Sequence, residues 1–339
     1  MTDARLRVSF AGPLVTFQDA GRPGHMRFGV SASGPMDRLS HTAANVALGN
    51  APDATAIEVS MGGLVLECLD GEVSLSLTGG AFTVDRSGDM FDSWSIFSLS
   101  AGEKVTIRPG ASGSWAYLAF AGTIEARRWL GHTATHSTSG FGGGQLVTGQ
   151  TIDITDASLR EDRHGTIDRP GFLETGAKMR VVLGPQDQHF TPEAVEAFQS
   201  SPFALTDAFD RMGVRLAGPT LDLKAALSLP SEPVTRGSVQ VAGDGVPTVL
   251  LADHQTTGGY PKIATLISED IDRISQLRAR DPVAFTAITP AEAIQTTRAT
   301  AAVRNGYLDA ISHPKGTLSQ RLLRENLISG VITGTDPDT

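Results

Sequence analysis

The chain has 339 residues, enough to bury the core of one large domain or of two ordinary ones. Its 37 Asp and Glu residues outnumber 28 Lys and Arg; the formal net charge of -9 creates a field that repels nucleic acid and anionic membranes, and neither is expected as a partner. With no basic segment leading into a long apolar run and a single cysteine, Cys68, that cannot form an internal disulfide, the chain reads as a soluble, unexported, cytoplasmic protein.

Glycine at 37 positions and proline at 18 punctuate short runs rich in Val, Leu, Ile and Thr, which is a β-rich pattern. A first strand is predicted over 5–10. A helix follows Asp37 as N-cap, with Leu39, Ala43, Val46 and Ala47 on one face and Gly49-Asn50 as its stop. Strands are then expected over 57–60, 64–68, 73–78, 104–108 and 115–121, with Cys68 as a packed small hydrophobe. The polar stretch 156–170 reads as a linker. Beyond it come a strand over 179–183, a helix opened by Thr191-Pro192, strands over 249–252 and 263–268, and helices over 270–278 and 290–309. In the tail, Leu318 pairs with Leu322 and Leu323 with Leu327, an apolar stripe if helical. Many short strands of this kind make barrels or sandwiches.

An internal repeat supports a duplicated barrel. Arg7-Val8 followed by Gly12-Pro13, then Gly29-Val30 and Gly34-Pro35, corresponds to Arg180-Val181, Gly184-Pro185, Gly213-Val214 and Gly218-Pro219. Thr78-Gly79-Gly80 against Thr257-Gly258-Gly259 falls at a similar displacement.

Eight histidines are scattered, and only His132 and His136 lie four apart, without nearby cysteine or carboxylate, so no metal is expected. Ser139-Gly-Phe-Gly-Gly-Gly-Gln145 lacks the Lys-Ser/Thr of a phosphate loop and reads as a mobile or tightly turned loop. The segment from Asp253 to Lys262 fails the same test and reads as a polar hairpin, with Asp253 and Gln255 on one face and His254 and Thr256 on the other. Arg211 and Arg215 can hold a carboxylate or phosphate, or simply pair with Asp207 or Asp210; Gln18, Asp19 and Arg22 form a similar group.

Thr16-Phe-Gln-Asp-Ala-Gly-Arg-Pro-Gly24, Ser33-Gly-Pro-Met-Asp37, Ala44-Asn45, Gly49-Asn50, Glu58, Asp210-Arg-Met-Gly213 and Leu250 through Lys262 together resemble the biotin-dependent carboxyltransferase family, also called allophanate hydrolase subunit 2 or KipA-like. The resemblance runs in order from about residue 6 to 288. It implies a mainly β fold of two cyclophilin-like β-barrels, at 1–158 and 172–288, with a few short helices and a helical tail at 289–339. It places the site between the barrels.

Three departures mark a divergent branch. The family's usual Arg is His254 here, its Ser-x-x-Ser-Asp-Arg-Met-Gly is Thr206-Asp-Ala-Phe-Asp-Arg-Met-Gly213, and its Ala-Gly-Gly is Ala121-Gly122-Thr123.

The resemblance implies a component of an ATP-dependent 5-oxoprolinase that opens 5-oxoproline to glutamate, with ATP handled through the complex. Two alternatives remain open. One is the carboxyltransferase component of a urea carboxylase or urea amidolyase, with biotin carried on another chain, since Ala177-Lys178-Met179 lacks the methionine expected before a biotinylated lysine. The other is a non-catalytic regulator of a kinase inhibitor. Partners would be other oxoprolinase or carboxylase subunits and a small amide substrate, and homo-oligomerisation is left open. Lys262 and Arg211 are expected to stabilise developing charge, while Asp253 orients or deprotonates. Gln18, Asp19, Arg22, Asp37, Gln240, His254, Gln255, Thr256, Thr257 and Tyr260 are expected to bind substrate, and Gly258 and Gly259 a cofactor.

Overall fold

The computed structural model describes residues 2–171, 178–224 and 229–316. The amphipathic tail expected after Leu318 lies outside them. The first unit contains β1 (Thr2–Ala11), β2 (Thr16–Gln18), α1 (Arg38–Leu48), β3 (Ala56–Ser60), β4 (Leu64–Asp70), β5 (Glu72–Gly79), β6 (Phe82–Arg86), β7 (Asp89–Asp92), β8 (Ser95–Ser100), β9 (Lys104–Pro109), β10 (Trp115–Phe120), β11 (Thr123–Ile124), β12 (Thr151–Ala157) and β13 (Gly165–Thr166). They form two sheets, in the orders β11-β12-β1-β4-β9-β6-β7 and β13-β8-β5-β10-β3-β2.

Alternation builds the space between these sheets. Leu6 and Val8 of β1 stand opposite Cys68 and Leu66 of β4, all buried, while the intervening side chains face outward. Burial pushes the Cys68 thiol pKa up, in keeping with a packed hydrophobe. β10 is buried on both faces, which explains its unbroken apolar run. Ala116, Leu118 and Phe120 fill the inter-sheet core, whereas Trp115, Tyr117 and Ala119 face α1 and the second unit. α1 is capped by Asp37, whose carboxylate accepts from the Ser40 N–H at 3.0 Å, and it ends at Gly49 with φ of 83°.

The second unit contains β14 (Lys178–Leu183), α2 (Pro192–Ser200), β15 (Phe203–Phe209), β16 (Gly213–Ala217), β17 (Glu232–Pro233), β18 (Ser238–Val241), β19 (Pro247–Leu250), β20 (Thr257–Gly258), β21 (Lys262–Leu266), α3 (Ser268–Gln276), β22 (Pro282–Ala287) and α4 (Pro290–Ser312). Its strands close a barrel in the order β14-β21-β18-β19-β16-β15-β22, with β22 returning parallel to β14. The fold is therefore mainly β, with one closed barrel, few helices and a C-terminal helix. The apolar core of this barrel is continuous with Met36, Ala43, Leu48 and Tyr117 of the first unit, so one core joins both.

The repeat maps unevenly. Arg7-Val8 and Arg180-Val181 lie on the comparable strands β1 and β14, but Gly213 begins β16 whereas Gly29 to Pro35 carries no regular structure. Two segments differ from what their composition predicts. The polar segment 251–261 is not a hairpin: β19 and β21 do not pair with each other but flank β18, so the segment crosses over one end of that strand. The stretch 156–170 is more than a linker, since β13 pairs with β8 and His164 Nε2 lies 2.7 Å from the Ser98 hydroxyl.

Candidate functional site

Most of the quoted motifs converge on the seam between the two units. Segment 33–37 is a strap whose backbone is held by side chains from both sides. Gly34 adopts φ of 83°, and a Cβ there would meet the Ala20 carbonyl at 3.0 Å, so only glycine fits. The Gly34 carbonyl accepts from Arg211 Nη2 at 2.7 Å, and the carbonyls of Pro35 and Met36 accept from Arg236 at 3.0 and 2.6 Å. From the first unit, Glu58 accepts the Met36 N–H at 2.7 Å and the Tyr117 hydroxyl at 2.8 Å, while that hydroxyl oxygen accepts from the Asp37 N–H at 2.7 Å.

Arg211 is the centre of this network. Fully buried, it donates to both oxygens of Asp253 at 3.0 Å and also to Glu58. Burial alone would lower its pKa, but the two carboxylates hold it above the ordinary arginine value. Asp253 also accepts from the backbone N–H and hydroxyl of Ser137 at 2.9 and 2.8 Å. Desolvation opposes its charge, yet Arg211 and these donors keep its pKa below the usual carboxylate value. Asp253 is thus an ionised, saturated anchor and a weak base. Asp37 differs. Burial and the nearby Asp272 raise its pKa to about 6, against hydrogen bonds from Ser40 and from Gln276 Nε2 at 2.8 Å.

A second cluster adjoins the first. Gln18 and Arg22 are fully buried beside the 129–145 loop: the Gln18 amide donates to the Thr135 carbonyl at 3.1 Å, and Arg22 Nη2 donates to the Ala134 carbonyl. Gln18 Oε1 and Arg22 Nε and Nη1 have no hydrogen-bond partner among the described residues. Trp129 covers the guanidinium at 5.0 Å and stacks on Phe141 at 4.3 Å between centroids. Burial lowers the Arg22 pKa, while Asp19 and Asp253 act to raise it. Asp19 accepts from the N–H groups of Gly21 and Thr133 at 2.9 and 2.8 Å and lies 3.4 Å from His132 Nδ1. With His132 and Arg128 it lines an adjacent cavity of about 260 Å³. The Gly-rich loop is tightly turned: a Cβ at Gly142 would sit 2.1 Å from the Ala134 carbonyl, and one at Gly143 would sit 2.6 Å from Phe17.

The third cluster gathers at the mouth of the closed barrel. Lys262, buried, reaches Glu232 at 3.4 Å, and Gln186 ties the two together, accepting the Lys262 N–H at 3.0 Å and donating to Glu232 at 2.7 Å. Gln255 donates to Gln240 Oε1 at 3.0 Å, and Gln240 donates to the Tyr260 carbonyl at 3.3 Å. A Cβ on Gly258 would approach Gln240 Nε2 to 2.6 Å, and Gly259 has the Leu229 carbonyl as its nearest neighbour at 3.3 Å. Thr256 accepts from the Val234 N–H through its carbonyl at 3.1 Å, and Thr257 and Tyr260 are exposed. His254 is buried, and its Nδ1 donates to the Gln255 carbonyl at 2.6 Å, which leaves Nε2 as the acceptor. Burial, with Arg236 nearby, lowers its pKa, so it is neutral where the resemblance expects a permanent cation.

Arg211 and Asp253 are therefore joined, Gln18, Asp19 and Arg22 form a second group, and Lys262 is engaged elsewhere. Arg215 pairs with Asp244 at the surface and does not belong to the seam. Glu58, Tyr117, Ser137, Arg236, Glu232 and Trp129 were not among the expected site residues. Glu58 was legible as a lone charge within the apolar run Ala56-Ile-Glu-Val59; the other five carry no local signal. Among the described residues no cluster of His, Cys, Asp and Glu could hold a metal, and no helix is long and apolar enough to cross a membrane.

Two β units locked through a buried strap, with amide-rich and arginine-bearing clusters beside it, define a domain of two subdomains. The chain belongs to the biotin-dependent carboxyltransferase family: residues 28–287 match the family described as carboxyltransferase domain, subdomain A and B. It is 31% identical over 294 residues to a 5-oxoprolinase subunit of Escherichia coli, covering 86% of this chain and 93% of that protein. Similarity to urea amidolyase of Saccharomyces cerevisiae is 26% over 309 residues, but this spans only 16% of that protein. Among solved structures, TTHA0988 matches at 32% identity and a TM-score of 0.74 over 84% of this chain; the match spans 55% of that longer chain.

Proposed function

We propose that the chain is a subunit of a 5-oxoprolinase, opening the lactam of 5-oxoproline to glutamate together with partner subunits. The observation that carries this reading is the pair of buried side chains Arg22 and Gln18, each with polar atoms left unpartnered. A buried cation with two unpartnered donor nitrogens calls for an anion, and a buried amide oxygen calls for a donor. 5-Oxoproline presents a carboxylate and a lactam N–H. Likeness to the Escherichia coli 5-oxoprolinase subunit over 93% of its length supports the same choice.

In the reaction, water adds to the lactam carbonyl carbon, the ring C–N bond breaks, and the nitrogen takes up a proton. The lactam is a poor electrophile, and ATP-dependent activation of its oxygen would supply the missing driving force. The glycine-rich loop is mixed, with Gly142 and Gly143 pressed against protein atoms and Gly140 and Gly144 open, and it carries no Lys-Ser/Thr of a phosphate loop. That activation is assigned to partner subunits. On this chain Arg22 would hold the carboxylate, Gln18 the lactam N–H, and Asp19 would position His132, while Arg211 and Asp253 fix the 129–145 loop through Ser137. Lys262 would stabilise charge only after release from Glu232.

A second reading, carboxyl transfer to urea, rests on the family membership and the likeness to urea amidolyase. Urea has no carboxylate for Arg22. Reconstitution with candidate partners distinguishes the two readings: ATP-dependent glutamate release from 5-oxoproline is expected, and urea-dependent ATP use in its place would overturn the proposal.

A further inference from the structure

α4 begins after the matched family segment, which ends at residue 287, and it runs for 23 residues without one fully buried side chain. A helix that long ordinarily buries an apolar stripe. Toward the C-terminal end of α4, Tyr307, Leu308 and Ile311 pack half-buried against the core, while Thr297, Thr300, Arg304 and Leu308 roof a cleft of about 730 Å³ against α1 and α3. This volume lies within the roughly 300–1,000 Å³ usual for small-molecule sites.

The chemistry of the walls is selective. Leu39, Pro52, Ala301 and Leu308 provide apolar surface. Of the lining carboxylates, Asp272 pairs with Arg38 at 3.0 Å and Glu269 accepts from the Thr297 hydroxyl at 3.2 Å, while Asp53 lies at the edge shared with the Asp19–His132 cavity. Arg180 and Arg273 are likewise paired, with Asp270 at 2.8 Å. Arg304, half-buried, has no ion-pair or hydrogen-bond partner among the described residues. Its guanidinium is therefore available for a bidentate contact in a partly desolvated setting.

We infer that this cleft is a binding site for an amphipathic monocarboxylate, its head group on Arg304 and its apolar body between α1 and α4. The cleft meets the Asp19–His132 cavity at Ala20 and Asp53, but neither Arg22 nor Gln18 lines it, so the inference does not rest on the substrate proposed for those two residues. The cleft has a route to the seam, because Arg38, on its wall, holds Asp272, which lies close enough to raise the Asp37 pKa.

The anionic probe 8-anilinonaphthalene-1-sulfonate tests this on the full chain, with octanoate and acetate as competitors. Saturable binding at one site per chain is expected, displaced by octanoate and not by acetate. Arg304→Gln should weaken it at least tenfold, and Thr300→Trp, which fills the cleft, should abolish it, each variant retaining the wild-type circular dichroism. Binding unchanged in both variants, absent from the wild type, or displaced equally by acetate would overturn the proposal.

Discussion

At the scale of single residues, the seam separates groups that stabilise from groups that cost stability. Arg22 belongs to the second kind. Each unpaired buried N–H costs about 1–3 kcal/mol, which the cation–π contact with Trp129 offsets only in part. Arg22→Met is thus expected to leave the protein as stable as before or about 1 kcal/mol more so. The same change should lower kcat/KM for 5-oxoproline at least 100-fold in the reconstituted complex, chiefly through KM. A clear loss of stability in urea denaturation would instead make Arg22 a structural residue. Asp37 gives a pH-dependent counterpart. Its pKa rises from 3.8 to about 6 on folding, so the folded state binds its proton more tightly. The resulting stabilisation is complete below pH 3.8 and is lost as pH rises through 6, a change of ~3 kcal/mol. Asp37→Asn keeps the cap acceptor and removes the charge. Its urea midpoint should exceed the wild type's at pH 8 and converge with it near pH 4; parallel pH profiles would rule out Asp37 as the cause.

Elements were legible wherever one periodicity and one pair of flanking signals agreed. Asp37 and Gly49 bracket α1 as read, and Thr289-Pro290 opens α4 with a reciprocal cap, the Thr289 hydroxyl and Glu292 carboxylate each satisfying the other's backbone N–H. Segment 251–261 departs from a hairpin for a physical reason. Two apolar strands separated by glycines signal a hairpin, and nothing local tells that Ser238–Val241 slides between them. The partners of the site were hidden in the same way, since Arg211 meets Glu58 across 153 positions and Asp253 meets Ser137 across 116. What sequence can offer for such pairs is only the oddity of a charge in an apolar run. For α4, lacking buried side chains, the cap carries unusual weight. Thr289→Ala should cost about 1 kcal/mol of local helix stability, read as about five-fold faster hydrogen exchange at residues 293–297. Unchanged exchange would mean that the cleft contacts, not the cap, hold the helix.

At the scale of the molecule, two things could couple the units: the shared apolar core and the buried charges. The core running from Leu48 and Tyr117 to Val239 and Phe285 supplies non-directional free energy, whereas the Glu58–Arg211–Asp253 triad fixes where the strap lies. Arg211→Met would strand two carboxylates in the interior and is expected to cost about 3–5 kcal/mol. Combining it with Glu58→Gln and Asp253→Asn removes the stranded charges and should restore much of that loss, because buried ion pairs add little net stability over neutral replacements. Both variants should still unfold in one transition, since the common core is intact. The triple variant should nevertheless lose turnover, because Ser137 and the strap no longer have charged anchors to hold the 129–145 loop over Arg22. Two separate unfolding transitions in the triple variant would show that the charges, not the core, make the units one cooperative body; full activity would show that the loop finds its place without them.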